Sequence, residues 1–249
     1  MSLPEIVSQT EWLAARKALL EKEKAMTRAR DALCVERRKL PMVRIDKPYR
    51  FQGEDGEVSL LDLFEGRRQL IVAHFMFAPE WEKGCKGCTA DADEMADGLI
   101  RHLNARNTTL VHVSRAPLAK LLSYRAERGW NFRWYSSYGS DFNYDFQATV
   151  DPERGQETYN YRTVAEHQKA GTGYYFDGGS KSTELSGRSV FLRDGDTVYH
   201  TYSQYGRGGE ATGGAYYWLD LTPLGRQEEW EEPKGRVEFP KPAQPFFEN

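Results

Sequence analysis

Gly84-Cys85-Lys86-Gly87-Cys88 holds two of the chain's three cysteines. Thiols separated by two residues can close on each other at the first turn of a helix, and redox chemistry needs one of them ionised. A helix N-terminus meets that need, because its unpaired N–H groups and positive partial charge stabilise a thiolate. The spacing points to Cys85 as the exposed attacking thiol and to Cys88, one turn in, as the resolving thiol. Lys83 and Lys86 add positive charge, whereas Asp91, Asp93 and Glu94 suit a helix start and oppose the thiolate modestly. Pro79, Trp81 and Lys86 fall where a substrate would approach.

The same cysteines have two other uses. With His200 or His74 they could hold zinc or copper, since thiolate and imidazole suit both metals. No second cysteine pair completes a four-ligand site, and no cofactor is expected. They could also be inert, in a protein whose task is to bind a partner. Arg188 completes the set of candidate catalytic residues. It enters a strand that would lie beside the apolar run before the cysteines, where a permanent cation would lower a thiol pKa. Its alternative is a surface ion pair. His74, His112 and His200 fall in strands and read as core residues, while His102 and His167 read as helix-surface residues. Cys34 reads as a small buried hydrophobe.

The elements around the cysteines decide how specific the spacing is. The apolar run Leu70-Ile71-Val72-Ala73-His74-Phe75-Met76-Phe77 predicts a strand delivering the chain to Pro79 and the dithiol. Met95, Leu99, Ile100 and Leu103 then fall on one helical face. Residues 108–113 read as a β-branched strand, Pro117 opens a helix that Gly129 closes, and residues 132–136 read as a further strand. The order β-CxxC-α-β-α-β implies parallel strands with crossover helices, a context that makes the motif much more specific. Residues 137–186 break the pattern and read as a loop-rich insertion with a short helix at 161–170. A hairpin follows, 189–193 and 197–203, across the favoured turn Asp194-Gly195. Residues 215–221 read as a final helix or turn, and 231–249 as an extended tail.

Ahead of this body, residues 10–40 predict one amphipathic helix of roughly 45 Å. Thr10 would cap it and Pro41 would end it. Trp12, Leu19, Met26, Leu33 and Leu40 recur every seven residues, the period of a helix-on-helix seam. The stripe suits either docking on the chain's own body or a homodimer. The organisation expected is therefore a helix at 1–40, an α/β domain at 41–230 and a tail at 231–249.

Composition bounds the partners. A net charge of −3 gives no global attraction to nucleic acid. No apolar run approaches the roughly 18 residues of a membrane span, and Met1-Ser-Leu-Pro-Glu lacks the pattern of a secretory signal. Three cysteines make no disulfide framework, so a reducing cytoplasm is the expected compartment. The partners expected are a disulfide-containing protein or a small thiol.

The element order resembles the thioredoxin-fold superfamily, nearest its peroxiredoxin-like branch. Several stretches resemble the bacterial thioredoxin-like family catalogued as domain of unknown function 899. They are His74-Phe-Met-Phe-Ala-Pro-Glu-Trp-Glu-Lys-Gly-Cys85, Gly139-Ser-Asp-Phe-Asn143, His200-Thr-Tyr-Ser203 and Leu219-Asp-Leu-Thr-Pro-Leu-Gly-Arg-Gln-Glu228. The resemblance runs over most of residues 5–230. It implies a thioredoxin-like mixed sheet flanked by helices and an oxidoreductase role without a named substrate. A thioredoxin has a cis-proline before its hairpin strand, where this chain has Ser186-Gly-Arg-Ser-Val. Peroxiredoxins place an arginine near this position, which favours Arg188. Their Pro-x-x-x-Thr/Ser-x-x-Cys pattern is not met, because from Pro79 those positions hold Lys83 and Lys86.

Overall fold

The computed structural model describes residues 3–172 and 182–240, which fall into two units: residues 3–41 with 215–240, and the described part of 42–214. In the first unit, helix α1 (Gln9–Arg38) begins at Ser8 rather than Thr10. The reason is Glu11. Its backbone N–H donates to Ser8 Oγ at 3.3 Å, and its carboxylate accepts from the Ser8 N–H at 2.9 Å, a reciprocal capping box that Thr10 has no partner to form. No residue of α1 is buried. Trp12, Leu19, Met26 and Leu33 keep 52, 50, 71 and 57% of their surface exposed. Cys34 is half-buried rather than buried, with an Arg37 guanidinium nitrogen 3.7 Å from its sulfur.

The second unit is built on an eight-stranded mixed sheet. Strands β1 (Val43–Arg44), β2 (Arg50–Gly53) and β3 (Gly56–Ser59) precede β4 (Gln69–His74), which leads to the cysteines. Helices α2 (Lys86–Asp93) and α3 (Asp97–Asn104) connect β4 to β5 (Thr108–Ser114), and α4 (Leu118–Arg128) connects β5 to β6 (Trp134–Ser136). The insertion follows. It carries α5 (Phe142–Asp145), the pair β7 (Thr149–Val150) with β10 (Thr183–Glu184), the pair β8 (Thr158–Tyr159) with β9 (Arg162–Thr163), and α6 (Val164–Lys169). Residues 173–181 of that insertion lie outside the described residues. The chain returns to the sheet as the hairpin β11 (Gly187–Asp194) and β12 (Thr197–Tyr205). Helix α7 (Ala215–Leu219) belongs to the first unit, so 215–230 groups with α1 rather than with the α/β body to which its sequence was assigned. Of the tail, residues 241–249 lie outside the described residues.

The sheet order is β1-β12-β11-β4-β5-β6-β2-β3. Strands β4, β5 and β6 are parallel, and β11 runs antiparallel to β4 with Arg188 opposite Ala73. The single helical face expected after Cys88 is two helices, broken where Ala96 is extended. The break lets α2 turn Ala92 inward behind Cys88 while α3 lies along β5.

Alternation along the central strands divides the core. On one face Leu70, Val72, Val111, Val113 and Phe191 pack with Phe51, Phe64 and Phe142. On the other, Phe75, Phe77, Leu121, Tyr124, Phe132 and Trp134 form an aromatic cluster against which Cys88 and Trp81 pack. His74 and His112 are buried as expected, on the first and second faces respectively. His200 is half-buried. His167 is not a surface residue. It is 5% exposed, because its ring binds the Tyr159 carbonyl oxygen at 2.8 Å and Thr172 Oγ1 at 2.9 Å, closing the insertion on itself.

Candidate functional site

Cys85 is the N-cap of α2. Its N–H donates to the Met76 carbonyl at 2.9 Å, its carbonyl accepts from the Thr89 N–H at 2.9 Å, and the Met76 N–H points at Cys88 Sγ at 3.5 Å. Both thiols are free and half-buried. Thr89 ties this turn to the core, donating from Oγ1 to the Cys85 carbonyl at 2.9 Å and lying 3.0 Å from the Tyr124 hydroxyl. Gly84 is required because a Cβ there would lie 2.5 Å from a Phe75 ring carbon and 3.3 Å from Tyr124. The helix start is thus pressed against the aromatic cluster, and no side chain fits at the residue before Cys85.

The two thiols ionise in opposite directions. Cys85 is lowered to about 6, first by the Cys88 thiol, which hydrogen-bonds its sulfur, and then by the Cys88 and Gly87 backbone N–H groups; burial opposes the shift. Cys88 is raised well above the usual thiol range by that same bond, by burial, and by the charges of Cys85 and Asp91. The two directions favour the thiolate at Cys85 and keep the proton on Cys88.

Arg188 does reach α2, but its partner there is Asp91. One guanidinium nitrogen binds both Asp91 oxygens, at 2.6 and 2.8 Å. The sequence shows Asp91 only as an opposing charge. The fold makes it the anchor of the arginine, which pairs with it one turn beyond Cys88. Gly187 precedes Arg188 under tight constraint, since a Cβ there would lie 2.5 Å from the Tyr205 ring. Pro79 and Trp81 are half-buried and Lys86 is exposed, all three on the segment that carries the cysteines. Lys120 escapes sequence reasoning. From α4 its ammonium donates to the Pro79 and Trp81 carbonyls at 2.7 and 2.6 Å, fixing the loop ahead of the cysteines. No sequence signal marks it, because an exposed-looking helix lysine is ordinary.

Among the described residues no group of three or more His, Cys, Asp or Glu side chains has the arrangement of a metal site. His74 and His200, the two candidate ligands, are engaged elsewhere. His74 Nε2 lies 2.8 Å from Ser189 Oγ, Ser189 Oγ 2.8 Å from Ser203 Oγ, and Ser203 Oγ 2.8 Å from His200 Nε2. This chain crosses three strands on the sheet face away from Cys88. Burial lowers His74 to about 3, with the Arg188 charge acting in the same sense. A second buried polar group joins the insertion to the end of β5, with Arg115 Nε 2.8 Å from Glu184 Oε1 and Thr149 Oγ1 donating to the same carboxylate.

Residues 1–241 match the model of a family described as a bacterial protein of unknown function, DUF899. The chain belongs to this family. Its fold has a mixed sheet flanked by helices and a long N-terminal helix. Solved structures similar to it include PrxQ of Xylella fastidiosa, a cysteine-to-serine mutant, at 11% identity and a TM-score of 0.40, covering 66% of this chain and 84% of that one. The bacterioferritin comigratory protein of Xanthomonas campestris has 10% identity and a TM-score of 0.42, covering 70% and 94%. Peroxidoxin BcpB of Mycobacterium tuberculosis has 15% identity and a TM-score of 0.34, covering 65% and 84%. None of the curated proteins matches the chain. Among the described residues no helix is long and apolar enough to cross a membrane.

Proposed function

We propose that the protein is a thiol–disulfide oxidoreductase of the cytoplasm. The observation that carries this is the placement of two free thiols in the first turn of α2, Cys85 at the N-cap and Cys88 three residues on, a setting that lowers Cys85 to about 6 and raises Cys88. The Cys85 thiolate attacks a substrate disulfide, forming a mixed disulfide and expelling one substrate thiolate, which takes a proton from water. Cys85 then carries no charge. Its hydrogen bond and repulsion, which held the Cys88 proton, are gone, so Cys88 ionises more readily at the step that needs it. The Cys88 thiolate attacks Cys85 Sγ, the second substrate sulfur leaves as a thiol, and Cys85–Cys88 remains oxidised. Two electrons have passed to the substrate, and an external dithiol, or two monothiols, returns them and is itself oxidised to a disulfide.

Arg188 serves this chemistry through Asp91, cancelling a carboxylate charge that would otherwise oppose ionisation beside it. Pro79, Trp81 and Lys86 meet a disulfide-bearing protein or a small disulfide. The exposed stripe of α1 supports a homodimer, because four large apolar side chains on one seam remain at least half in water. Sedimentation of the full chain as a monomer at about 10 μM, where a stable seam would be populated, removes that part.

The test of the activity is a redox titration in glutathione buffers with disulfide reduction by wild type and Cys85→Ser. The expected outcome is a single two-electron couple and loss of turnover in the variant. A protein whose thiols do not interconvert reversibly, or a variant as active as wild type, overturns the proposal. The non-catalytic alternative, a thioredoxin-fold protein that only binds a partner, predicts that second outcome.

A further inference from the structure

Far from the dithiol, the sheet has a gap. Strand β5 spans seven residues, but β6 pairs only with His112, Val113 and Ser114. The His112 N–H donates to the Arg133 carbonyl and the Ser137 N–H reaches the Ser114 carbonyl, so even-numbered residues of β5 turn their backbone groups toward β6. Val113 and Asn107 instead direct their carbonyls to Phe75 and Gln69 on the β4 side. Thr108 and Leu110 therefore aim their N–H and C=O groups past the start of β6, where no backbone bond meets them among the described residues. On the far side of the gap stands the β2–β3 hairpin, joined to β6 at Gln52 and Ser136 alone.

A cleft of about 820 Å³ occupies this place. Its lining comes from both faces of the sheet. Val58, Glu65, Thr109 and Tyr135 lie on the face of the first core cluster, and Ile100, Arg101, Leu110, Phe132 and Trp134 on the face of α3 and the aromatic cluster. A cleft lined from both faces lies in the sheet plane, so its shape is that of a missing strand. From 108 to 111 it is roughly 13 Å long, room for about four extended residues at 3.3 Å each. The two faces differ. Val58 and Tyr135 offer half-buried apolar surface on one, whereas Arg101 on the other has no ion-pair partner among the described residues. Of the acids at the rim, Glu65 is held by Arg67 at 2.8 Å and Glu54 by Arg125 at 2.7 Å, while the exposed Asp55 has Arg133 at 4.0 Å.

We propose that this gap is a docking slot for an extended segment of a partner protein, added as a strand beside β5. Its backbone pairs with Leu110 and Thr108, its apolar side chains face Val58 and Tyr135, and an acidic side chain between them faces Arg101. Strand addition draws affinity from main-chain bonds and selectivity from alternate side chains.

The test uses the full chain and acetylated, amidated pentapeptides of pattern Φ-Asp-Φ-Asp-Φ, with Φ drawn from Val, Ile, Phe and Tyr, at about 1 mM total, the range where such short contacts are populated. Backbone amide exchange is read residue by residue. The expected result is exchange slowed about tenfold at Leu110 and Thr108 and unchanged on α4. Arg101→Ala, a surface change, should weaken the effect several-fold. Leu110→Pro should abolish it, because proline removes a donor that serves no native ladder. Unchanged exchange at 108–111 with every peptide, or equal protection by Φ-Lys-Φ-Lys-Φ, overturns the proposal. So does protection that rises with protein concentration in the absence of peptide, which would assign the slot to a second copy of the chain.

Discussion

Removing the Cys88 thiol by Cys88→Ala isolates the bond that does most to lower Cys85. Wild-type Cys85 is held at about 6. A hydrogen bond to a charged acceptor contributes about 1.5–3 kcal/mol, and 1.36 kcal/mol is one pKa unit, so losing it should raise Cys85 by roughly 1.5 units. The two backbone N–H donors remain and keep the variant's thiol below an unperturbed one. The thiolate fraction at pH 7 then falls from roughly 0.9 to 0.25, but a more basic thiolate is a better nucleophile by about fivefold at a Brønsted slope near 0.45. The two effects nearly cancel, so a single-pH rate is uninformative near neutrality. The discriminating assay is iodoacetamide alkylation of the reduced protein, with the modified cysteine identified by mass, across pH 4 to 10. Cys88→Ala should show its midpoint raised by about 1.5 units, a plateau rate about fivefold above wild type, and a rate about threefold below wild type at pH 6. Cys88→Ser keeps a donor and should hold its midpoint within about half a unit of wild type. A midpoint in Cys88→Ala that stays put or falls would refute the Cys88 thiol as the main cause of the lowered Cys85.

Two further expectations concern the scaffold. Gly84→Ala brings a methyl group to 2.5 Å from the Phe75 ring; overpacking of this kind costs about 1–3 kcal/mol, and the displaced turn should slow thiol exchange while the far-UV spectrum stays native, checked by urea unfolding and exchange rate together. Glu184 is raised to about 7 by burial, against the pull of Arg115. A carboxyl raised in the fold contributes stability that is complete below its ordinary value of 4.5 and is lost as pH rises through 7. Glu184→Gln mimics the protonated form, so its stability relative to wild type should grow from pH 5 to pH 8 by on the order of 3 kcal/mol in paired urea titrations. A constant difference across that range would show that Glu184 does not titrate there.

The motif and its setting are legible in the amino-acid sequence. Strand, CxxC, helix, strand, helix, strand and hairpin follow from local patterns, because apolar runs, a proline and glycines at helix ends, and a favoured turn pair each act within a few residues. The partition of α2 from α3 was not legible, because Met95, Leu99, Ile100 and Leu103 keep helical spacing across an extended Ala96. The cap at Ser8 was written in the sequence as Ser-x-x-Glu and lay two residues before Thr10.

What the sequence determined by itself was the identity and spacing of the thiols and their place at a strand-to-helix junction. What only the tertiary structure decided was who meets whom. Arg188 and Asp91 lie far apart in the chain, and only the antiparallel placement of β11 beside β4 brings them to one ion pair. Lys120 grips the Pro79 and Trp81 carbonyls because α4 crosses behind that loop. His74 and His200 went to a serine chain on the opposite face of the sheet, since successive strand residues point to opposite sides and His74 shares its side with Val72 rather than Phe75. The opposed ionisation of Cys85 and Cys88 is of the same kind: spacing brings the sulfurs near each other, but burial against the aromatic cluster and the N–H groups of α2 decide which one gives up its proton.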